Sequence, residues 1–205
     1  MDNGSSEEWA GRDWDHTYRD NTLEELPWEE GAPSTELVEL VESGLVEKGA
    51  TLDICSGSGN NTVYLAKQGY QCYGIDISPT AVGYARQRAN REGVSCELTS
   101  GDATELPYPD NTFSFVFDRG CFHSMPLAKR RDFIRGVHRV LKPGGKCQLI
   151  CFSAMDHRSG PPYSFSPENI RRHFRLSFKI HWIKELTRET DGAKHYFLSV
   201  LMEKN

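Results

Sequence analysis

The stretch Ala50-Thr51-Leu52-Asp53-Ile54-Cys55-Ser56-Gly57-Ser58-Gly59-Asn60-Asn61-Thr62 limits the possible folds of this chain more than any other. Leu52 and Ile54 read as a short buried strand, and Val63, Leu65 and Ala66 open an apolar-periodic helix. Between them lies a loop of small residues. Strand, glycine loop and helix is the layout of a nucleotide-binding turn. Its glycines let backbone N–H groups approach a ligand closely, and the next helix adds its positive end. The same layout also serves as a packing corner without a ligand. The dinucleotide fingerprint G-x-G-x-x-G needs a glycine where Thr62 stands, or where Asn60 stands if counted from Cys55. Both frames fail, which disfavours nicotinamide chemistry.

What remains is D-x-x-x-G-x-G, from Asp53 to Gly59. It resembles the first motif of class I S-adenosylmethionine-dependent methyltransferases, usually D-x-G-x-G-x-G. Cys55 stands where that family has its first glycine, and cysteine disfavours positive φ. Gln71–Asp76 reads as the second strand. It places Asp76 roughly 20 positions beyond the loop, where a carboxylate accepts two ribose hydroxyls. A turn or cap is the other reading of Asp76. Ser78 and Pro79 start a helix as cap and first-turn residue.

Val94–Leu98 reads as a third strand, followed by Gly101-Asp102-Ala103. In the family a similar triplet sits where adenine binds, so the resemblance assigns Asp102 and Ala103 to the cofactor, together with Ile77. Thr112–Asp118 alternates as a fourth strand and leads into Asp118-Arg119-Gly120, which resembles the family's D-R-G. Ligands of open α/β sheets bind at the carboxyl ends of strands. Asp118, Arg119 and His123 are therefore the candidates for catalysis, with Asp118 also counted with the cofactor. Each has a plainer reading: a turn cap, a carboxylate partner, a packed histidine. Leu141-Lys142-Pro143-Gly144-Gly145 resembles the family's turn from helix to fifth strand, Lys146–Phe152, and is structural.

Ahead of this core, residues 7–35 carry Trp9, Trp14, Tyr18 and Trp28 in a polar setting. They anchor an N-terminal helix or cover a ligand. The pattern W-x-x-x-Y…P-W-x-x-G-x-P looks like the N-terminal lid of thiopurine and thiol methyltransferases. That resemblance implies that Tyr18 and Trp28 close over a sulfonium cation, which aromatic faces attract. Residues 34–47 are expected to be helical, with Ser34 as cap.

Composition narrows the partners. A net charge of −5 over 205 residues draws neither nucleic acid nor an anionic membrane. The basic residues of the helix expected over 127–142 read as a solvated face. The acidic start, Met1–Glu8, is unlike a signal peptide, and no run is long enough to span a membrane. The six cysteines form no C-x-x-C and read as reduced thiols of a cytoplasmic protein. The seven histidines are scattered, so no metal site is expected.

Beyond the loop 153–166 and a short helix through Phe174, Phe178–Leu186 and Tyr196–Met202 read as an antiparallel hairpin around Asp191-Gly192. The expected fold is one α/β domain over 1–205, with a lid over 1–35 and the sheet over 50–205. Its sheet is doubly wound, seven-stranded and mostly parallel, with one antiparallel strand. The resemblance implies an S-adenosylmethionine-dependent methyltransferase of a small-molecule nucleophile, with a thiol or related chalcogen favoured. A protein methyltransferase and a non-catalytic S-adenosylmethionine sensor are the alternatives. Oligomeric state is left open.

Overall fold

The computed structural model describes residues 12–158, 160–190 and 192–205. Trp9, the acidic start and Asp191 lie outside them. Among the described residues the elements are, in chain order, α1 (Trp14–Asp20), α2 (Thr35–Glu42), β1 (Ala50–Ile54), α3 (Asn60–Lys67), β2 (Gln71–Asp76), α4 (Pro79–Arg91), β3 (Cys96–Ser100), β4 (Phe113–Arg119), α5 (Cys121–Ser124), α6 (Leu127–Val140), β5 (Leu141–Ser153), β6 (Ser164–Phe165), α7 (Pro167–Phe174), β7 (Phe178–Thr190) and β8 (Ala193–Lys204).

The strands run β3-β2-β1-β4-β5-β8-β7, and the two-residue β6 adds to β5. β1 to β5 are parallel; β8 is antiparallel to both β5 and β7. The expected doubly wound sheet with one antiparallel strand is what the chain builds. Helices on both faces bury the central strands, so their apolar residues face two cores. Leu52, Ile54 and Val116 pack with Phe133, Ile170 and Phe174 on one side. Phe115 and Phe117 pack with Leu37, Leu40 and Leu65 on the other. Register then aligns the functional ends: Ile54 pairs with Ile75 on one side and with Asp118 on the other.

Several boundaries differ from expectation for local reasons. The third strand starts two residues late because the Val94 N–H still donates to Ala89 O at the end of α4 (3.0 Å). α2 stops at Glu42, where the Ser43 hydroxyl donates to the Leu40 carbonyl (2.7 Å), and Leu45 beyond it is exposed. Ser34 precedes α2, but its hydroxyl donates to Glu36 (2.6 Å) and caps no backbone N–H. Leu141–Gly145 joins the strand: Leu141 already pairs with Phe113, and the register shifts before Lys146 pairs with Phe115. The hairpin starts at Phe178 as expected, but both strands run further into the turn and β8 ends two residues later. Its outer residues alternate among polar types on a solvated ladder, so no apolar signal marked them.

Two chemical expectations are corrected. The six thiols are not all reduced: Cys55 and Cys121 form a disulfide, with Cα atoms 5.7 Å apart, while Cys72, Cys96, Cys147 and Cys151 are free. Nor is every basic side chain of α6 solvated. Arg130 is buried, with its guanidinium over the rings of Tyr163 (4.6 Å) and Phe165 (4.8 Å). Among the described residues no helix is long and apolar enough to cross a membrane, and no cluster of metal-ligating side chains occurs.

Candidate active site at the carboxyl edge of the sheet

The glycine loop follows β1 and turns through three left-handed residues: Cys55 (φ 55°), Gly57 (φ 54°) and Gly59 (φ 84°). Cys55 thus keeps the conformation that the expected glycine would take freely. A Cβ on Gly59 would lie 2.8 Å from Ala85 Cβ and 3.0 Å from its Cα, so this glycine lets α4 lie against the loop. A Cβ on Gly57 would meet the Tyr18 hydroxyl at 2.8 Å. Loop and neighbouring strand are tied by backbone groups: Ser56 N–H donates to Ile75 O (3.0 Å) and Gly59 N–H to Ser56 O (2.9 Å).

Asp76 ends β2 beside this loop. Its Oδ2 accepts from Gly57 N–H and its Oδ1 from Ser78 N–H, both at 2.9 Å. Burial pushes this carboxyl up, and the two backbone donors pull it back toward the ionised form. Each oxygen keeps a second lone pair. Gly101 N–H donates to Asp76 O (2.9 Å), which sets the Asp102-Ala103 turn against the same strand end. Asp102 Oδ1 takes Thr104 N–H and Oγ1–H, both at 2.8 Å, in a closed turn. Ala103 is buried, and Ile77 is a large apolar side chain left 51% exposed.

Two of the expected site carboxylates lie behind the rim. Asp53 is buried and accepts from Thr62 Oγ1 (2.6 Å), tying β1 to α3. Asp118, also buried, accepts from Cys121 N–H (2.8 Å) and Phe122 N–H (3.1 Å), which caps α5. Burial pushes each carboxyl up to about 7, with the Asp76 charge adding to the rise at Asp53 and the Asp53 charge to that at Asp118. His123 stacks on Phe152 (4.7 Å between ring centroids), and its Nδ1 accepts the Phe152 N–H (3.2 Å). That bond assigns its proton to Nε2. Burial lowers its pKa to about 3, with Arg158 and Arg119 adding to the effect. A neutral ring whose acceptor nitrogen is already in use is a poor base. The catalytic expectation for Asp118 and His123 therefore meets side chains engaged with backbone, and the plainer readings fit their contacts.

The N-terminal segment covers the loop. Trp28 Nε1–H donates to the Tyr18 hydroxyl (3.0 Å), and both Trp14 and Tyr18 meet the Trp28 ring edge-to-face. Asp15 Oδ1 accepts from Ser78 Oγ (2.8 Å) and Thr80 N–H (2.9 Å) at the start of α4. Burial pushes the Tyr18 phenol up, and the Asp76 charge adds to this. Three acidic side chains fasten the segment. Glu29 accepts from Ser58 Oγ and Asn60 Nδ2 and pairs with Arg88 at 3.3 Å. Glu30 takes both Arg119 and, at 2.8 Å, Arg188 of β7; Glu36 takes Arg188 as well. Arg119 Nη1 also donates to Trp28 O (3.4 Å).

Tyr18, Trp28, Gly57, Gly59, Asp76 and Arg119 thus meet at one rim, with Cys55 beneath it. Sequence reasoning missed Asp15, Glu29, Glu30, Glu36, Arg88 and Arg188. The pair Glu29-Glu30 within P-W-E-E-G offered a signal, as acidic residues inside an aromatic segment. Arg188 offered none, since it lies 158 positions from Glu30.

A family model described as "Methyltransferase domain" matches residues 51–145. The chain is 30% identical over 154 residues to the 2-heptyl-1-hydroxyquinolin-4(1H)-one methyltransferase of Mycobacteroides abscessus, a match covering 73% of this chain and 66% of that protein. It is 32% identical over 174 residues to the demethylmenaquinone methyltransferase of Bacillus licheniformis, covering 77% and 70%. The chain therefore spans about two thirds of the length of these relatives. A solved structure from work on the conversion of a disulfide bond into a thioacetal group during echinomycin biosynthesis superposes with a TM-score of 0.82. That match is 25% identical and covers 94% of this chain and 92% of the other. The family model, the relatives and the matching fold together show the family: the chain belongs to the class I S-adenosylmethionine-dependent methyltransferases.

Proposed function

We propose that this protein transfers a methyl group from S-adenosylmethionine to a small-molecule nucleophile, and that the nucleophile is an acidic one such as a thiol. The observation that carries the reading is the rim itself. Gly57 and Gly59 turn the loop in left-handed conformations, Asp76 keeps one free lone pair on each oxygen, and indole and phenol side chains roof the loop. This donor and acceptor set suits an adenosyl sulfonium. Asp76 would take the ribose hydroxyls. Ile77, Asp102 and Ala103 would flank the adenine, with Ile77 supplying apolar surface. The loop from Cys55 to Gly59 and the roof of Tyr18 and Trp28 would hold the methionine end. Asp53 and Asp118 would support the rim from behind without touching the reacting atoms. Bound there, S-adenosylmethionine supplies an electrophilic methyl for in-line displacement.

The chain's own part is positioning and exclusion of water, which together reach roughly 7–11 kcal/mol in well-oriented systems. A proton relay finds little support, because His123 is neutral with its Nδ1 engaged and Asp118 is buried with each oxygen held by a backbone N–H of α5. An acceptor that arrives already ionised needs no base, and thiols ionise near neutrality. Arg119, mostly buried at the rim, favours a nucleophile with negative charge. The relatives named above are called after small molecules, which supports that substrate class. The test is turnover by the purified protein with matched aryl thiols, phenols and amines, read as S-adenosylhomocysteine release across pH. The expected rate follows ionisation of the acceptor and is highest for thiols. A rate limb near pH 6–7 that is the same for every acceptor would instead reveal a protein base and overturn the acidic-acceptor reading.

A further inference from the structure

The sulfur pair Cys55 and Cys121 joins the cofactor loop to the first residue of α5. The fold does not need it as a staple: the core around it, from Leu52 and Ile54 to Phe122 and Phe133, is continuous and apolar. The other four cysteines are set apart from it. Burial raises the thiol pKa of Cys72, Cys147 and Cys151 and brings Cys96 to about 11, so they are poor nucleophiles. Cys55 is half-buried in the loop at the rim. It also stands in a left-handed conformation that an L-residue avoids by roughly 5- to 30-fold in population.

We propose that Cys55 and Cys121 form a reversible redox site that tunes the hold of the glycine loop on the cofactor. The inference rests on the S-adenosylmethionine reading of the rim. In the bridged form, Cys55 is tied to a residue whose own N–H is fixed by Asp118 (2.8 Å), so the loop is kept in its left-handed turn. In the dithiol form the sulfurs separate to non-bonded contact, about 3.5 Å or more against about 2.05 Å in a bond. Cys55 then relaxes toward negative φ, and the loop loses the turn that exposes its N–H groups. Oxidation requires a two-electron acceptor, a hydroperoxide. One thiolate attacks its terminal oxygen and becomes a sulfenic acid; the second thiol displaces water from that sulfur, leaving the disulfide, two molecules of water in all from hydrogen peroxide. A dithiol reductant reverses the change by exchange, becoming a disulfide itself.

The test combines peptide mapping with calorimetry. The full chain, treated with hydrogen peroxide or with dithiothreitol, is alkylated and mapped, then titrated with S-adenosylhomocysteine. The expected result is a Cys55–Cys121 peptide only after peroxide, and affinity about fivefold or more tighter in that form. Cys121→Ser should bind at the reduced level under both treatments. Cys55→Gly should bind at the oxidised level under both, because glycine takes the left-handed turn without a bridge. Equal or reversed affinities of the two wild-type forms, or a peroxide-treated map without the Cys55–Cys121 peptide, overturn the redox site alone. Absence of S-adenosylhomocysteine binding in every form overturns the cofactor reading and this inference with it.

Discussion

The rim has two sides that are held in different ways. On the β1–β2 side, the loop and Asp76 are fixed by backbone N–H groups at 2.9–3.0 Å and by helix α4 pressed against Gly59. On the β4–β7 side, the N-terminal segment is fixed by long charged side chains, Glu30 and Glu36 against Arg119 and Arg188. Backbone ties between neighbouring elements leave little freedom. Ion pairs between flexible side chains re-form in new partnerships at small cost. Under the proposed function the chemistry would follow the same split: the cofactor needs a rigid seat, while the acceptor site must admit a substrate and release a product. The cofactor side should therefore respond to mutation through affinity and folding together, and the β4–β7 side through acceptor kinetics more than cofactor affinity.

The largest effect is expected from Gly59→Ala. The new methyl must enter a space bounded by Ala85 Cβ and Cα, at a φ of 84° that L-residues resist. Overpacking and the left-handed penalty together cost about 2–5 kcal/mol. Thermal unfolding should show the loss, and calorimetry should show no cofactor binding. A variant of unchanged melting temperature would mean that the loop and α4 are not rigidly joined. Next comes Asp76→Asn, which keeps the shape but removes a charge and one acceptor pair. A hydrogen bond to a charged group contributes about 1.5–3 kcal/mol. S-adenosylhomocysteine should bind roughly 10- to 100-fold more weakly, with the fold retained.

The same contrast explains how much was readable beforehand. Gln71–Asp76, the loop and the Ser78-Pro79 helix start were legible because each is a local pattern: an apolar run, small residues, a cap. The Ser78 hydroxyl does accept Ala81 N–H (3.0 Å). Asp53 and Asp118 were legible as important, but their roles depend on contacts from Thr62, Cys121 and Phe122 that no spacing rule specifies. The clasp around Glu30 was illegible, since its partners come from β4 and the far hairpin. The Cys55–Cys121 bond was hidden for a related reason: its partners stand 66 positions apart, and only the meeting of two strand ends brings them together.

On the β7 side, Arg188→Met should remove the partner of Glu36, one of the two partners of Glu30 and the guanidinium over Phe197. Glu30 is partly exposed but Glu36 is nearly buried, so stability should fall by about 1–3 kcal/mol. Acceptor KM should change several-fold, with S-adenosylhomocysteine affinity within about twofold of wild type. Steady-state kinetics beside calorimetry separates the two. An equal loss in both would erase the proposed division of the rim.

The smallest effect concerns pH and tests the buried support between the two sides. Burial raises the Asp118 carboxyl to about 7, well above an unfolded aspartate at about 3.9. Between these values the native state holds a proton that the unfolded state has lost. Stability from this group is therefore full below about pH 4 and declines as pH rises toward 7. Asp118→Asn cannot ionise, so the difference in melting temperature between variant and wild type should drift across pH 4–7 and level off above it. The variant also loses one of two backbone acceptors, because its amide nitrogen must face either Cys121 or Phe122 N–H. It should be less stable at acid pH and approach wild type, or pass it, near neutrality. Melting curves taken at several pH values give the sign directly: a difference that widens with rising pH would show that Asp118 is ionised in the folded protein and acts as a charge at the rim.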